Sequence, residues 1–264
     1  MGVLTQISLQ ELKGLFPLYN FIELTPTHSG VIDTTYILSN NNQSYILKKY
    51  ERDIKTKIDQ DRDTLKKLKL SGLNVPECIE ESQGWYLYEK LQGKVPENIR
   101  TYHIQALARF MGGLHSQQSK QQHTSSFMQN YDCNKILSYL KSHHFAYYKK
   151  LQFLHNFSMP NDGFIHGDIF KDNTVFDKEK IGVFDFIDGG EGSFSFDAAV
   201  ALIGFDAKKH SPYFINLFLK TYNQHAPKKL QKKELLEQLD IASGFYALLR
   251  INKYKNTTKA KELL

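Results

Sequence analysis

The chain has 264 residues, 41% hydrophobic and 13% aromatic, a composition that excludes disorder over most of its length and suffices for one large or two modest domains. Its two cysteines, Cys78 and Cys133, lie far apart with no CxxC or Cys/His ligand spacing, so neither a disulfide framework nor a zinc site is implied and a reducing cytoplasm is expected. The formal charge of +6 comes from lysines scattered along helices rather than from a basic stripe interleaved with aromatics, which argues against a nucleic-acid partner.

The opening MGVLTQISLQEL has no basic leader with an apolar core, and Gln6 stands where a myristoylation signal needs Ser or Thr, so neither export nor lipid anchoring is expected. Ser8 and Glu11 form a capping box that starts a first helix, ending before Pro17. Strand-like runs follow at Phe21 to Leu24, Tyr36 to Leu38 and Tyr45 to Leu47, separated by polar turns such as Asn40, Asn41 and Asn42. A charged helix from Asp53 to Leu70 ends at Ser71 and Gly72, and two more strands lie near Cys78 to Glu80 and Trp85 to Glu89. Around Leu91 to Pro96 the pattern breaks. Beyond it helices are expected at Glu97 to His115, Cys133 to Phe153, Ser195 to Asp206, Pro212 to Asn223 and Lys233 to Tyr254. The longest strongly apolar stretch, around Ala198 to Phe205, is too short to span a bilayer. The expected fold is α+β in two lobes: a small antiparallel-sheet N-lobe over residues 1–92, and a larger, mainly helical C-lobe over residues 93–264, with a cleft between them.

The helical half is interrupted by IHGDIFKDNTVFDKEKIGVFD, between Ile165 and Asp185. Thr174 to Phe176 and Ile181 to Phe184 can form two short strands joined by a turn at Asp177 and Lys178. That hairpin would bring the ends of the run together. In kinases with this kind of site, an Asp in a short loop orients the acceptor hydroxyl and takes its proton. An Asn five positions later and an Asp ending the following strand hold the magnesium ions that bridge the nucleotide phosphates. The matching positions are Asp168, Asn173 and Asp185, and the last lies between Phe184 and Phe186, so it is not expected to be a freely solvated carboxylate.

A kinase also needs a cation on the donor phosphates. Lys48, at the end of the strand Tyr45, Ile46, Leu47, is the candidate, with Lys49 the competitor, because strand alternation puts only one of the two on the cleft face. Its partner is expected to be Asp61, which falls within an apolar stripe of Ile54, Ile58, Leu65 and Leu68, where a carboxylate is costly unless paired. Ser29 and Gly30 lie between two strands as a nucleotide loop would, or as an ordinary β-turn would. Glu89, Lys90 and Leu91 stand where a hinge would offer backbone groups to an adenine.

These residues resemble the aminoglycoside phosphotransferase superfamily, which has a protein-kinase-like fold, over nearly the whole chain. The pattern covers Lys48, Asp61 with Gly72, Val75 and Pro76, then His166, Gly167, Asp168, Asn173 and Asp185. It also covers Asp197 in FSFDAAVAL, which in the family is a structural acid opening the next helix. Within that superfamily VLTQISLQEL, GVIDTTYIL, HGDIFKDNTVFD and ALLRINKY are similar to type II homoserine kinases. The chain departs from that group in having Asp61 for Glu, Asp33 for Asn, Ile187 and Asp188 for aromatics, and a shorter length.

The resemblance implies an ATP- and Mg2+-dependent kinase of a small-molecule hydroxyl, L-homoserine first, with choline, ethanolamine or another amino alcohol as the rival. An aminoglycoside kinase, or a catalytically silent protein on the same fold, ranks lower. A monomer or homodimer, with neither nucleic acid nor membrane as partner, is expected. Asp188 and Glu191 are candidate partners for an acceptor ammonium, although a solvated acidic turn explains them equally. Arg250 is the candidate for an acceptor carboxylate. On the last long helix Ser243, Tyr246, Arg250 and Tyr254 share one face, with Ile241, Phe245, Leu248 and Leu249 on the other. The first face is expected to border the cleft.

Overall fold

The computed structural model describes residues 3–27, 32–117, 125–207, 211–254 and 257–264. The chain divides into two compact units: Met1–Gly93 with Gly182–Ile187, and Lys94–Ile181 with Asp188–Leu264. The segment that carries Asp185 therefore folds with the first unit, a return that a single division at 92/93 omits.

In the first unit, helix α1 (Leu9–Leu15) is followed by strands β1 (Glu23–Pro26), β2 (Thr34–Ser39) and β3 (Ser44–Lys49). Helix α2 (Lys55–Leu70) and strands β4 (Cys78–Ser82) and β5 (Trp85–Glu89) complete it. The five strands pair antiparallel in the order β1-β2-β3-β5-β4. Period-2 alternation sends Tyr36, Leu38, Tyr45, Leu47, Trp85 and Leu87 to one face, where they bury Leu12 and Phe16 of the α1 region and Phe21. The first strand begins two residues later than its apolar pattern suggests. Phe21 is buried by stacking on Tyr19 and by an edge contact with Tyr45, so its hydrophobicity reflects ring packing rather than ladder pairing.

The capping box closes as the sequence implies: Ser8 Oγ accepts from Glu11 N, and Glu11 Oε2 accepts from Ser8 N at 2.8 Å. Ser8→Ala is expected to lower unfolding stability by about 1 kcal/mol, read from denaturant midpoints. An unchanged midpoint would show that α1 is held by its packing alone.

The second unit contains helices α3 (Thr101–His115), α4 (Cys133–His143) and α5 (Phe145–Leu151), and later α6 (Phe194–Gly204), α7 (Pro212–His225), α8 (Lys232–Tyr254) and α9 (Thr257–Lys261). Between α5 and α6 come β6 (Gly163–Ile165), the hairpin strands β7 (Thr174–Asp177) and β8 (Lys180–Val183), and β9 (Gly190–Gly192), which pairs with β6. The single helix expected over Cys133 to Phe153 is two, because His144 leaves helical geometry at φ −142°, ψ 55°. The helix expected from Glu97 begins at Thr101, and His103 Nδ1 accepts the Arg100 N–H at its start. Every residue of α6 is buried, which suits its almost wholly apolar sequence. Among the described residues no helix is long and apolar enough to cross a membrane.

Candidate active site

The loop from His166 to Asn173 leaves the buried strand β6 and must satisfy its backbone without a ladder. Asp197, fully buried in the first turn of α6, does much of this: Oδ1 accepts Gly167 N at 2.7 Å and Oδ2 accepts His166 N at 3.2 Å. His115 Nε2 lies 3.0 Å from the same Oδ2, and His115 Nδ1 lies 2.7 Å from the Tyr222 hydroxyl, so α3, α6 and α7 meet behind the loop. Asp168 N donates to His166 Nδ1 at 3.1 Å. The Asp168 carbonyl accepts Phe170 N and Asn173 Nδ2, both at 2.9 Å.

The same Asn173 Nδ2 lies 3.0 Å from Asp168 Oδ2, so one amide fixes both the backbone and the carboxylate of Asp168. With its nitrogen so engaged, Asn173 turns its Oδ1, the cation-binding end of an amide, away from these two bonds. Gly167 sits at φ +74°, and a Cβ there would lie 2.0 Å from Phe127 Cε2. Neither the conformation nor the space admits a side chain.

In the first unit, Lys48 Nζ donates to Asp185 Oδ1 at 2.6 Å. Alternation decides between the two lysines: Lys49 falls on the Tyr45 and Leu47 face, its ammonium 5.2 Å from the Trp85 ring, while Lys48 takes the opposite face. Burial would lower the Lys48 ammonium, but Asp185, with Asp33 beyond it, holds it above the ordinary lysine value. It therefore stays charged. The Lys48 ammonium also lies 5.0 Å from the Tyr50 ring, and the Tyr50 and Tyr88 hydroxyls are 3.0 Å apart.

Asp61 occupies the buried stripe of α2 with Ile58, Leu65 and Leu68, as its position implied. The carboxylate bonded to Lys48 is Asp185, however, and Asp61 faces the tyrosines: burial first, and then Asp61, pushes the Tyr50 phenol well above its ordinary value. Asp185 adopts φ +69°, a left-handed conformation that Asp tolerates better than most residues, and its side chain is 40% exposed.

The remaining candidates divide between the two units. Glu89 N donates to Glu77 O at 3.0 Å, and the Glu89 carboxylate takes Lys69 Nζ, so both groups serve the end of the sheet. Leu91 lies two residues past the end of β5. Ser29 and Gly30 lie outside the described residues. In the second unit Asp188 O accepts Asn130 Nδ2 at 2.9 Å, and Glu191 Oε2 accepts Asn161 Nδ2 at 2.5 Å.

Arg250 stacks its guanidinium 5.5 Å from the Phe170 ring, two residues after Asp168. The face of α8 that carries it is covered at Tyr246, which is buried and whose hydroxyl donates to Gly167 O, while Ser243 and Arg250 are half-buried. Sequence reading took Tyr246 only as a face-marker for Arg250. Its contact with the loop, like that of Phe127, joins residues too far apart in the chain for any local pattern to reveal.

An antiparallel sheet bearing Lys48, followed by a pinned Asp-to-Asn loop, a hairpin and a helical remainder, is a protein-kinase-like fold. Residues 23–227 match the phosphotransferase enzyme family, and the chain belongs to it. It is 24% identical over 226 residues to a homoserine kinase of Methylobacillus flagellatus, covering 76% of this chain and 70% of that protein. It is 23% identical over 276 residues to a homoserine kinase of Polaromonas naphthalenivorans, covering 93% and 87%. A solved choline kinase from Cryptosporidium parvum Iowa II is similar in fold, with a TM-score of 0.69 at 16% identity over 91% of this chain and 86% of that one.

Proposed function

We propose that the protein is an ATP-dependent kinase of a small primary alcohol, with L-homoserine the acceptor. The observation that carries the reading is the double grip of Asn173 on Asp168, which fixes a carboxylate against its own backbone and leaves an amide oxygen for a cation. Asp168 orients the acceptor hydroxyl and takes its proton as the hydroxyl oxygen bonds the γ-phosphorus. The bond to the β-phosphate oxygen breaks and ADP leaves.

Lys48 contributes a fixed positive charge toward the α- and β-phosphates, kept charged by Asp185. The Asn173 side-chain oxygen in the second unit and the Asp185 carboxylate in the first are each hard oxygen donors of the type that would hold magnesium. Magnesium, when bound, would offset the negative charge of the nucleotide phosphates.

Two features support homoserine over an amino alcohol. Both curated relatives named above are homoserine kinases, and Arg250 is a planar carboxylate-binding cation beside the Asp168 loop. Choline or ethanolamine has no carboxylate for it. The similarity in fold to a choline kinase keeps the amino-alcohol reading as the alternative. ATP consumption measured over homoserine, serine, choline, ethanolamine, methylthioribose and kanamycin tests the assignment, with homoserine expected to give the highest kcat/KM. A preference for choline or ethanolamine would replace it.

Arg250→Met is expected to raise the homoserine KM by on the order of tenfold to a hundredfold, the scale of one or two charge-assisted hydrogen bonds. Use of an analogue lacking the carboxylate should barely change. Equal losses on both acceptors would make Arg250 a packing residue on Phe170.

A further inference from the structure

We infer that Tyr246 is a positioning residue for the reaction, holding the Gly167–Asp168 peptide so that the Asp168 carboxylate keeps its direction; the catalytic part of this rests on the kinase reading. Each backbone polar group from Gly167 N to Asp168 O has an identified partner. Asp197 takes Gly167 N, His166 Nδ1 takes Asp168 N, and Asn173 with Phe170 N serves Asp168 O. The Gly167 carbonyl, on the same peptide plane as Asp168 N, is held by the Tyr246 hydroxyl.

Tyr246 is 7% exposed, and its ring lies 4.8 Å from Phe170 and 5.4 Å from Phe245, so the hydroxyl is delivered from a fixed frame. Burial, with the Asp168 charge and a hydrogen bond to the Asp168 side chain adding, pushes the phenol well above its ordinary value, so the neutral hydroxyl serves the Asp168 carboxylate as well as the Gly167 carbonyl. Gly167 makes this anchor matter. At φ +74° and without a side chain, it is the residue of the loop with the most conformational freedom, and it adjoins the one carboxylate whose direction the chemistry needs. Asp197 secures the N–H side of that residue and Tyr246 its carbonyl side.

Tyr246→Phe keeps the ring and removes only the hydroxyl. It is expected to lower kcat by up to about tenfold, the scale of one hydrogen bond, with the KM for ATP and for the acceptor little changed. Hydrogen exchange at the Gly167 and Asp168 amides should quicken. Leu248→Ala, a fully buried position two residues further along α8, supplies the control for simple destabilisation. It should lower the melting temperature more than Tyr246→Phe does, yet leave kcat nearly intact well below that temperature.

If Tyr246→Phe instead lowers only the melting temperature and leaves both kcat and loop exchange at wild-type values, the inference is overturned. The exchange measurement decides whether Tyr246 holds the loop even where no acceptor in the panel is phosphorylated. A failure of the kinase reading is thereby distinguishable from a failure of this one.

Discussion

Asp168→Asn is expected to reduce turnover by on the order of a hundredfold or more while leaving the affinity for Mg-nucleotide nearly intact. The prediction follows from how much of the loop backbone is held by groups other than the Asp168 side chain. Its N–H is held by His166, its carbonyl by Asn173 and Phe170 N, and the preceding residue by Asp197 and Tyr246. The replacement amide has the same shape, and its oxygen can accept the Asn173 donor that now lies 3.0 Å from Oδ2. What it cannot do is take a proton from the acceptor hydroxyl. Turnover and nucleotide binding measured side by side separate the two effects, and near-normal turnover in this variant would remove Asp168 from the role of base.

The features legible in sequence were those that depend on spacing. The hairpin between Asn173 and Asp185 could be placed because two short apolar runs flank a polar turn, and β7 and β8 form at that place. Alternation along β3 separated Lys48 from Lys49 for the same local reason, and the stripe on α2 marked Asp61 as buried.

Contacts between distant segments left no such trace. Nothing near Asp185 in the chain indicates that Gly182–Ile187 folds with the first unit, nor that Asp185 rather than Asp61 is the carboxylate bonded to Lys48. The strands β6 and β9 are three residues each and rich in glycine, too short to show a period. Tyr246 was placed on the right face of α8 but assigned an open surroundings. That segment is apolar on nearly every side, so periodicity could not tell which face is covered.

Asp185→Asn should remove activity almost completely and, unlike the change at Asp168, should weaken nucleotide binding as well. Asn tolerates a left-handed backbone as Asp does, so the turn at φ +69° is expected to survive and the loss to be one of charge. That charge has two uses. It would be a hard anionic ligand for magnesium on the proposed reading, and it is the partner of Lys48, whose side chain is only 15% exposed and whose Nζ sits 2.6 Å from Oδ1. An amide oxygen can still accept a hydrogen bond from the ammonium but offsets none of its charge. Lys48 would be left to the more distant Asp33, which is itself engaged by Arg52 Nη2 and Glu51 N. Turnover is therefore expected to fall by more than a hundredfold at ordinary magnesium, with partial recovery in manganese or excess metal. Nucleotide titrations with and without metal check the second half of the argument, because the variant should lose most of the gain in affinity that metal confers on the wild type. Wild-type activity at ordinary magnesium would show that neither use of the carboxylate matters to the reaction, and the assignment of Asp185 as a metal ligand would fall with it.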